Sequence, residues 1–166
     1  MEHQQALRVG SHGFRYAARC DHDQVGTVAR RQAGLAARRA TDAQLRNMER
    51  LLLLSRKAAE AGRLREVVTH NADFHQQIVE ASGNPLLQDL MSPLDSRLRR
   101  LFRLTSTLND GDPICGEHER LHEAIRDHDE LKAEELARAH VAGTRASAMR
   151  YLAAGATENR DSSTQS

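Results

Sequence analysis

Leu64-Arg65-Glu66-Val67-Val68-Thr69-His70-Asn71-Ala72-Asp73-Phe74-His75-Gln76-Gln77-Ile78-Val79-Glu80-Ala81-Ser82-Gly83-Asn84-Pro85-Leu86-Leu87 reads as one whole helix, its stop and the start of the next. Leu64, Val67, Val68, Phe74, Ile78 and Val79 recur at helical spacing. Ser82-Gly83-Asn84-Pro85 ends the run. Glycine suits the residue after a helix because no Cβ opposes a positive φ, and proline suits a first turn whose N–H has no helical partner. The spacing predicts a helix over about 63–82 and another from 85. Downstream, Leu87, Leu90, Leu94, Leu98, Leu101 and Leu108 trace one stripe of a helix over about 85–107, and Asn109-Asp110-Gly111-Asp112-Pro113 is a loop. Helices over about 114–128 and 130–154 follow, broken near Asp127 to Asp129. Upstream, Leu45, Met48 and Leu52 mark a helix that starts at Thr41-Asp42 and stops at Gly62. Val28, Gln32, Leu35 and Ala36 fit one more, ending near Ala40. The expectation is an all-α antiparallel bundle of about six helices with short connections, one domain over 28–154. Residues 1–27 show no sustained apolar period and read as poorly ordered chain or a truncated first helix. The polar tail 155–166 reads as disordered.

Composition agrees with helices. The chain has 166 residues, 3% aromatic and no Trp, so its core must be built from Leu, Ala, Val and Ile. With 10 Gly and 3 Pro it is poor in turn-makers, which disfavours a sandwich or barrel. Net charge is +1, not the footprint of a domain whose main task is gripping nucleic acid. Lys57 and Lys132 are the only lysines among 24 basic residues, an Arg excess that GC-rich coding explains. Cys20 and Cys115 stand far apart, without metal or disulfide spacing, and read as reduced thiols of a cytoplasmic protein. The longest Leu run, Leu51 to Leu54, is far short of the roughly 20 residues a membrane span needs, so no membrane association is expected.

The 9 histidines carry more information. Asn71 and His75 lie one turn apart on an otherwise apolar face with Val67, Val68 and Ile78. Ile114, His118, Leu121 and Ile125 form a second such face, and Ala133, Ala137, His140, Val141 and Thr144 a third. One inward histidine is ordinarily a core side chain satisfied by a carbonyl or hydroxyl. Three from three helices, beside an inward amide, point instead to a shared site for a first-row divalent ion such as Zn, Ni, Co or Mn. The other six histidines read largely as surface residues.

His118-Glu119-Arg120-Leu121-His122 also matches H-E-x-x-H, in which two histidines bind zinc and the glutamate activates water. A small zinc hydrolase acting through Glu119 is therefore an alternative, and a degenerate helical domain that only dimerises is another. The highly charged helix around the motif counts against the hydrolase. A ferritin-like di-metal site is excluded, because Glu119 to His122 supplies one E-x-x-H and no second is present.

Asn71-Ala-Asp-Phe74-His75-Gln-Gln-Ile78, followed by Ala81-Ser-Gly83-Asn84-Pro85-Leu-Leu87, resembles the FCD domain. That is the C-terminal sensor domain of the FadR branch of GntR-type bacterial transcription regulators. Leu35-Ala-Ala-Arg-Arg-Ala-Thr41-Asp42, Glu117-His118-x-x-Leu121-x-x-Ala124-Ile125, and Asp129 followed by Ala137 and His140 agree with the same pattern, so the resemblance covers about Val28 to Leu152. It implies a non-enzymatic helical sensor whose bundle encloses a ligand and metal cavity, which binds a small organic acid and holds a divalent metal, zinc foremost, at Asn71, His75, His118 and His140. It implies a homodimer that reaches DNA only through a winged-helix domain, for which residues 1–27 are too short. Asn71 stands where the family often has Asp, which weakens the set as a metal site. Val25 and Ala29 stand where the family has Arg and Glu. Arg97, beside the Leu94–Leu98–Leu101 stripe, is a candidate to pair with an effector carboxylate.

Overall fold

The computed structural model describes residues 22–89 and 113–161, and every regular element among them is helical. They are α1 (His22–Arg39), α2 (Asp42–Glu60), α3 (Leu64–Ala81), α4 (Pro113–Arg126) and α5 (Glu130–Asp161), with a further helical turn at 85–89. Beyond that turn, the helix expected over 85–107, Arg97 and the loop at 109–112 lie outside the described residues.

The helix ends follow from local chemistry. Thr41 Oγ1 accepts the Gln44 backbone N–H at 3.3 Å, and Gln44 Oε1 accepts the Thr41 N–H at 3.0 Å. This capping box satisfies two donors that the first turn of α2 leaves without partners. Thr41→Ala is expected to cost about 1 kcal/mol, read as a fall of roughly 2–4 °C in the thermal midpoint by circular dichroism. Gly62 and Gly83 adopt φ of +68° and +57°, closing α2 and α3 where a side chain would be strained. Asn84 Oδ1 then accepts the Leu87 N–H at 3.3 Å, starting the turn at 85–89. Between α4 and α5, His128 takes the same left-handed conformation, φ +58°, and its Nδ1 lies 2.6 Å from the Ala37 carbonyl oxygen of α1. Asp129 Oδ1 accepts the Lys132 N–H at 2.9 Å and caps α5.

Two boundaries differ from the sequence expectation. The first helix begins at His22 rather than near 28, and the last continues to Asp161 rather than ending near 154. Residues 155–161 were expected within a disordered tail. That segment holds Ala156, Glu158 and Arg160 and no proline, and extending a helix already nucleated costs far less than starting one.

α1 packs most extensively along α5 and also touches α3 and α4. α2 and α3 form one helical hairpin, α4 and α5 another, and α2 lies against α4. The α1–α5 seam is built from small residues: Ala33, Ala37, Ala133 and Ala137 are all buried. Gly34 lies so close to α5 that a Cβ there would meet Glu134 Oε1 at 2.8 Å. Arg38 pairs with Glu130 at 3.7 Å and Arg30 with Glu134 at 3.3 Å, so the two helices run antiparallel. Phe74, Met48 and Ile125 lie at the centre with no exposed surface. Leu64, the first residue of α3, is 47% exposed, because the apolar stripe begins one turn before the core does.

Candidate metal centre

The three inward faces read from the sequence meet. His75 of α3, His118 of α4 and His140 of α5 each offer a ring nitrogen, and these atoms all lie within 4.8 Å of one another. The ring centroids are 4.8 Å apart for His75 and His118, 5.1 Å for His75 and His140, and 4.6 Å for His118 and His140. The neighbours of each ring explain its place. Leu121 and Ile125, which follow His118 along α4, are buried, and so are Ala133 and Ala137 ahead of His140 on α5. Phe74 packs its ring 5.2 Å from that of His118, an apolar wall beside the cluster.

Burial sets the charge state. Desolvation, reinforced by His140, lowers the His75 pKa to about 3. Desolvation, with His75 and His140 close by, holds His118 well below the ordinary histidine range. Both imidazoles are neutral at pH 7, the form that donates a lone pair to a metal. His140 Nδ1 lies 2.8 Å from Glu117 Oε2. That hydrogen bond is the main reason the Glu117 carboxyl sits below its usual range. A carboxylate can only accept, so His140 Nδ1 carries a proton and Nε2 is the nitrogen turned to the cluster, the carboxylate–histidine arrangement that orients metal ligands.

Whether these donors suit a cation can be tested on the atoms themselves. His118 Nε2 and His140 Nε2 face each other at 3.3 Å, a separation that a hydrogen bond between them needs one proton to fill. His118 Nδ1 is buried with no hydrogen-bond partner among the described residues. A buried polar atom left in this state costs about 1–3 kcal/mol. A divalent ion held by the three residues would accept ring lone pairs directly, and imidazole nitrogens suit a borderline metal such as zinc. The set fits.

Asn71 lies one turn before His75 on α3. Its Oδ1 accepts a hydrogen bond from Ser55 Oγ at 2.8 Å, which fixes the amide and leaves a second lone pair on the oxygen. Arg97 lies outside the described residues. His122 does not join the cluster: its Nε2 lies 3.2 Å from the Leu45 carbonyl oxygen of α2. Glu119 is paired with Arg56 of α2. The two histidines of H-E-x-x-H therefore serve different neighbours, because α4 is wedged between α5 on one side and α2 on the other. His122, 7% exposed, departs from the expectation that the other six histidines are largely surface residues.

Two contributors escaped the sequence reading, and both had a signal. Ser55 is 1% exposed and lies three and four residues after the buried Leu52 and Leu51, a polar residue inside an apolar stripe. Glu117 adjoins His118, yet nothing in the sequence says that His140 faces it.

Residues 27–143 match the sequence model of the FCD domain. Among solved structures, a GntR protein of Streptococcus agalactiae superposes with a TM-score of 0.63 at 25% identity, covering 76% of this chain and 56% of that one. The chain thus spans little more than half the length of that relative. No curated protein gave a match. The family match takes in Asn71 and all three clustered histidines together with most of the bundle, and the chain belongs to the FCD domain family.

Proposed function

We propose that this chain is the effector-sensing domain of a GntR-type transcription regulator of the FadR branch, and that it senses a small organic acid at a bound divalent ion. One observation carries the reading: three imidazoles from α3, α4 and α5, two of them held neutral, converge within a domain of this family. His75, His118 and His140 supply nitrogen and Asn71 an amide oxygen, a set for which zinc is the first candidate and Ni, Co or Mn the next. When bound, the ion supplies positive charge to a carboxylate. Glu117 keeps His140 in the correct tautomer, Ser55 holds the Asn71 amide, and Phe74 excludes water from one side. Arg97 is proposed to meet the far end of the effector. The role is binding and not catalysis.

The three ligand helices are also the framework of the bundle, so an effector that draws them together favours one packing over another. In a homodimer such a shift changes the spacing of two winged-helix domains and so the affinity for DNA, to the extent that the effector binds the two states differently. The proposed setting is the cytoplasm. Among the described residues, no helix is long and apolar enough to cross a membrane.

The test is a melting series on the metal-loaded chain with acetate, succinate and citrate. A ligand present at 100 times its Kd should stabilise the fold by about 2.7 kcal/mol, a rise of roughly 5–10 °C. Stabilisation should vanish when the metal is stripped. An equal rise in the stripped protein counts against a metal-centred effector site.

A further inference from the structure

Gln32 is buried in α1, 3% exposed, and its Nε2 has no hydrogen-bond partner among the described residues. An amide N–H without an acceptor in the interior is costly, so such a group is expected to meet one in some state of the protein. Its position narrows the choice. Arg30, Arg31, Gly34 and Arg38 face α5, as their contacts with Glu130 and Glu134 show. Gln32 is two residues from Gly34, about 200° around the helix, and so points away from α5. It shares that side of α1 with Arg39, which lies seven residues, or two turns, further on. Arg39 Nη1 donates to the carbonyl oxygen of Ser82, the residue that closes α3, at 2.8 Å. Cross-helix contacts show α1 antiparallel to α5, α5 to α4, α4 to α2 and α2 to α3, so α1 and α3 are parallel to each other. Two turns back from Ser82 along α3 is His75.

We infer that Gln32 is a ligand-binding residue of the histidine chamber, donating its amide N–H to an acceptor oxygen of the bound organic acid. The inference rests on the proposed sensing function. Its chemistry is specific: the amide adds a neutral, directional donor, one that a carboxylate oxygen satisfies and an alkyl group does not. Among the described residues the same N–H lacks an acceptor, so an acid oxygen that accepts it adds to affinity.

Two substitutions in the full chain, Gln32→Met and Gln32→Glu, test this, each loaded with zinc and titrated with citrate and succinate by calorimetry. Methionine keeps the volume and removes the donor. Glutamate keeps the shape and puts a negative charge opposite the acid. Both are expected to weaken binding of whichever acid the wild type binds by about tenfold or more, while the zinc content stays that of the wild type. Gln32→Met should also melt at a higher temperature than the wild type without ligand, since it removes an unsatisfied group. If both variants bind the acid within twofold of the wild type, Gln32 is not a ligand residue. A lower melting temperature of ligand-free Gln32→Met with unchanged affinity has the same meaning, because it reveals an acceptor within the fold. If the zinc-loaded wild type itself binds neither acid, the sensing function fails and takes this inference with it.

Discussion

Replacing His118 or His140 with alanine is expected to empty the metal centre, whereas His122→Ala should leave it filled. Structural zinc sites with four protein ligands bind with apparent energies of roughly 10–16 kcal/mol, so loss of one ligand should weaken affinity about a hundredfold or more. The two inner histidines are not equivalent. His140 is oriented by Glu117 at 2.8 Å, so Glu117→Gln should weaken the metal by a smaller factor, about 10–100-fold, through the tautomer. His118 has no such partner at Nδ1 among the described residues, and its position rests on packing against Phe74. Elemental analysis of the dialysed proteins gives the ordering directly. His122 donates to the Leu45 carbonyl oxygen, so its loss should lower stability without releasing metal. A site emptied by His122→Ala and retained in His140→Ala would reinstate the H-E-x-x-H reading.

The second large effect is acid lability of the metal-free protein. The His75 pKa falls from 6.5 to about 3 on folding, and that of His118 falls in the same direction, chiefly because burial excludes water from both rings. The unfolded chain therefore takes up protons below pH 6.5 that the folded chain refuses. Stability from these groups is complete above pH 6.5 and is lost as the pH falls from there toward 3. Each such histidine contributes a slope of about 1.4 kcal/mol per pH unit in that window. Taking both, the loss from pH 7.5 to 5 is on the order of 4 kcal/mol, or about 10 °C in thermal midpoint. Glu117 acts at lower pH: its carboxyl is lowered by the His140 hydrogen bond, so its contribution is lost only as the pH falls through the carboxylate range. Bound zinc should raise the profile without flattening it, because the folded rings are already neutral and the unfolded chain still takes up the protons. Melting curves at several pH values, with and without zinc, measure both effects. A metal-free midpoint that is level between pH 7.5 and 5 would show that the rings are hydrated.

Local chemistry explains why so many helix ends were legible. Thr41 with Gln44, Gly62, Gly83 with Pro85, and Asp129 act through neighbours no more than a few residues away, so their meaning is contained in the chain. The start of α1 and the end of α5 were not legible in this way. Neither carries a strong stop signal, and α1 and α5 are the pair that pack most extensively on each other. Extending a helix already nucleated needs no apolar period of its own, so periodicity stops short of both ends.

The sequence by itself determined the class of the fold, the faces of its helices and the presence of Asn71, His75, His118 and His140 on those faces. Periodicity fixes which residues share a side, because 3.6 residues make a turn in any α-helix. It does not fix which sides meet. His118 and His122 lie one turn apart on the same side of α4, yet one turns to His140 on α5 and the other to Leu45 on α2. That choice is made by helix packing, as are the partnership of Glu117 with His140, the hold of Ser55 on Asn71 and the burial of Gln32. Each of these joins residues on different elements or sets a residue's environment by what packs over it. Only the tertiary structure decides them, because a helix carries its own phase in its sequence and its neighbours' phases in none of it.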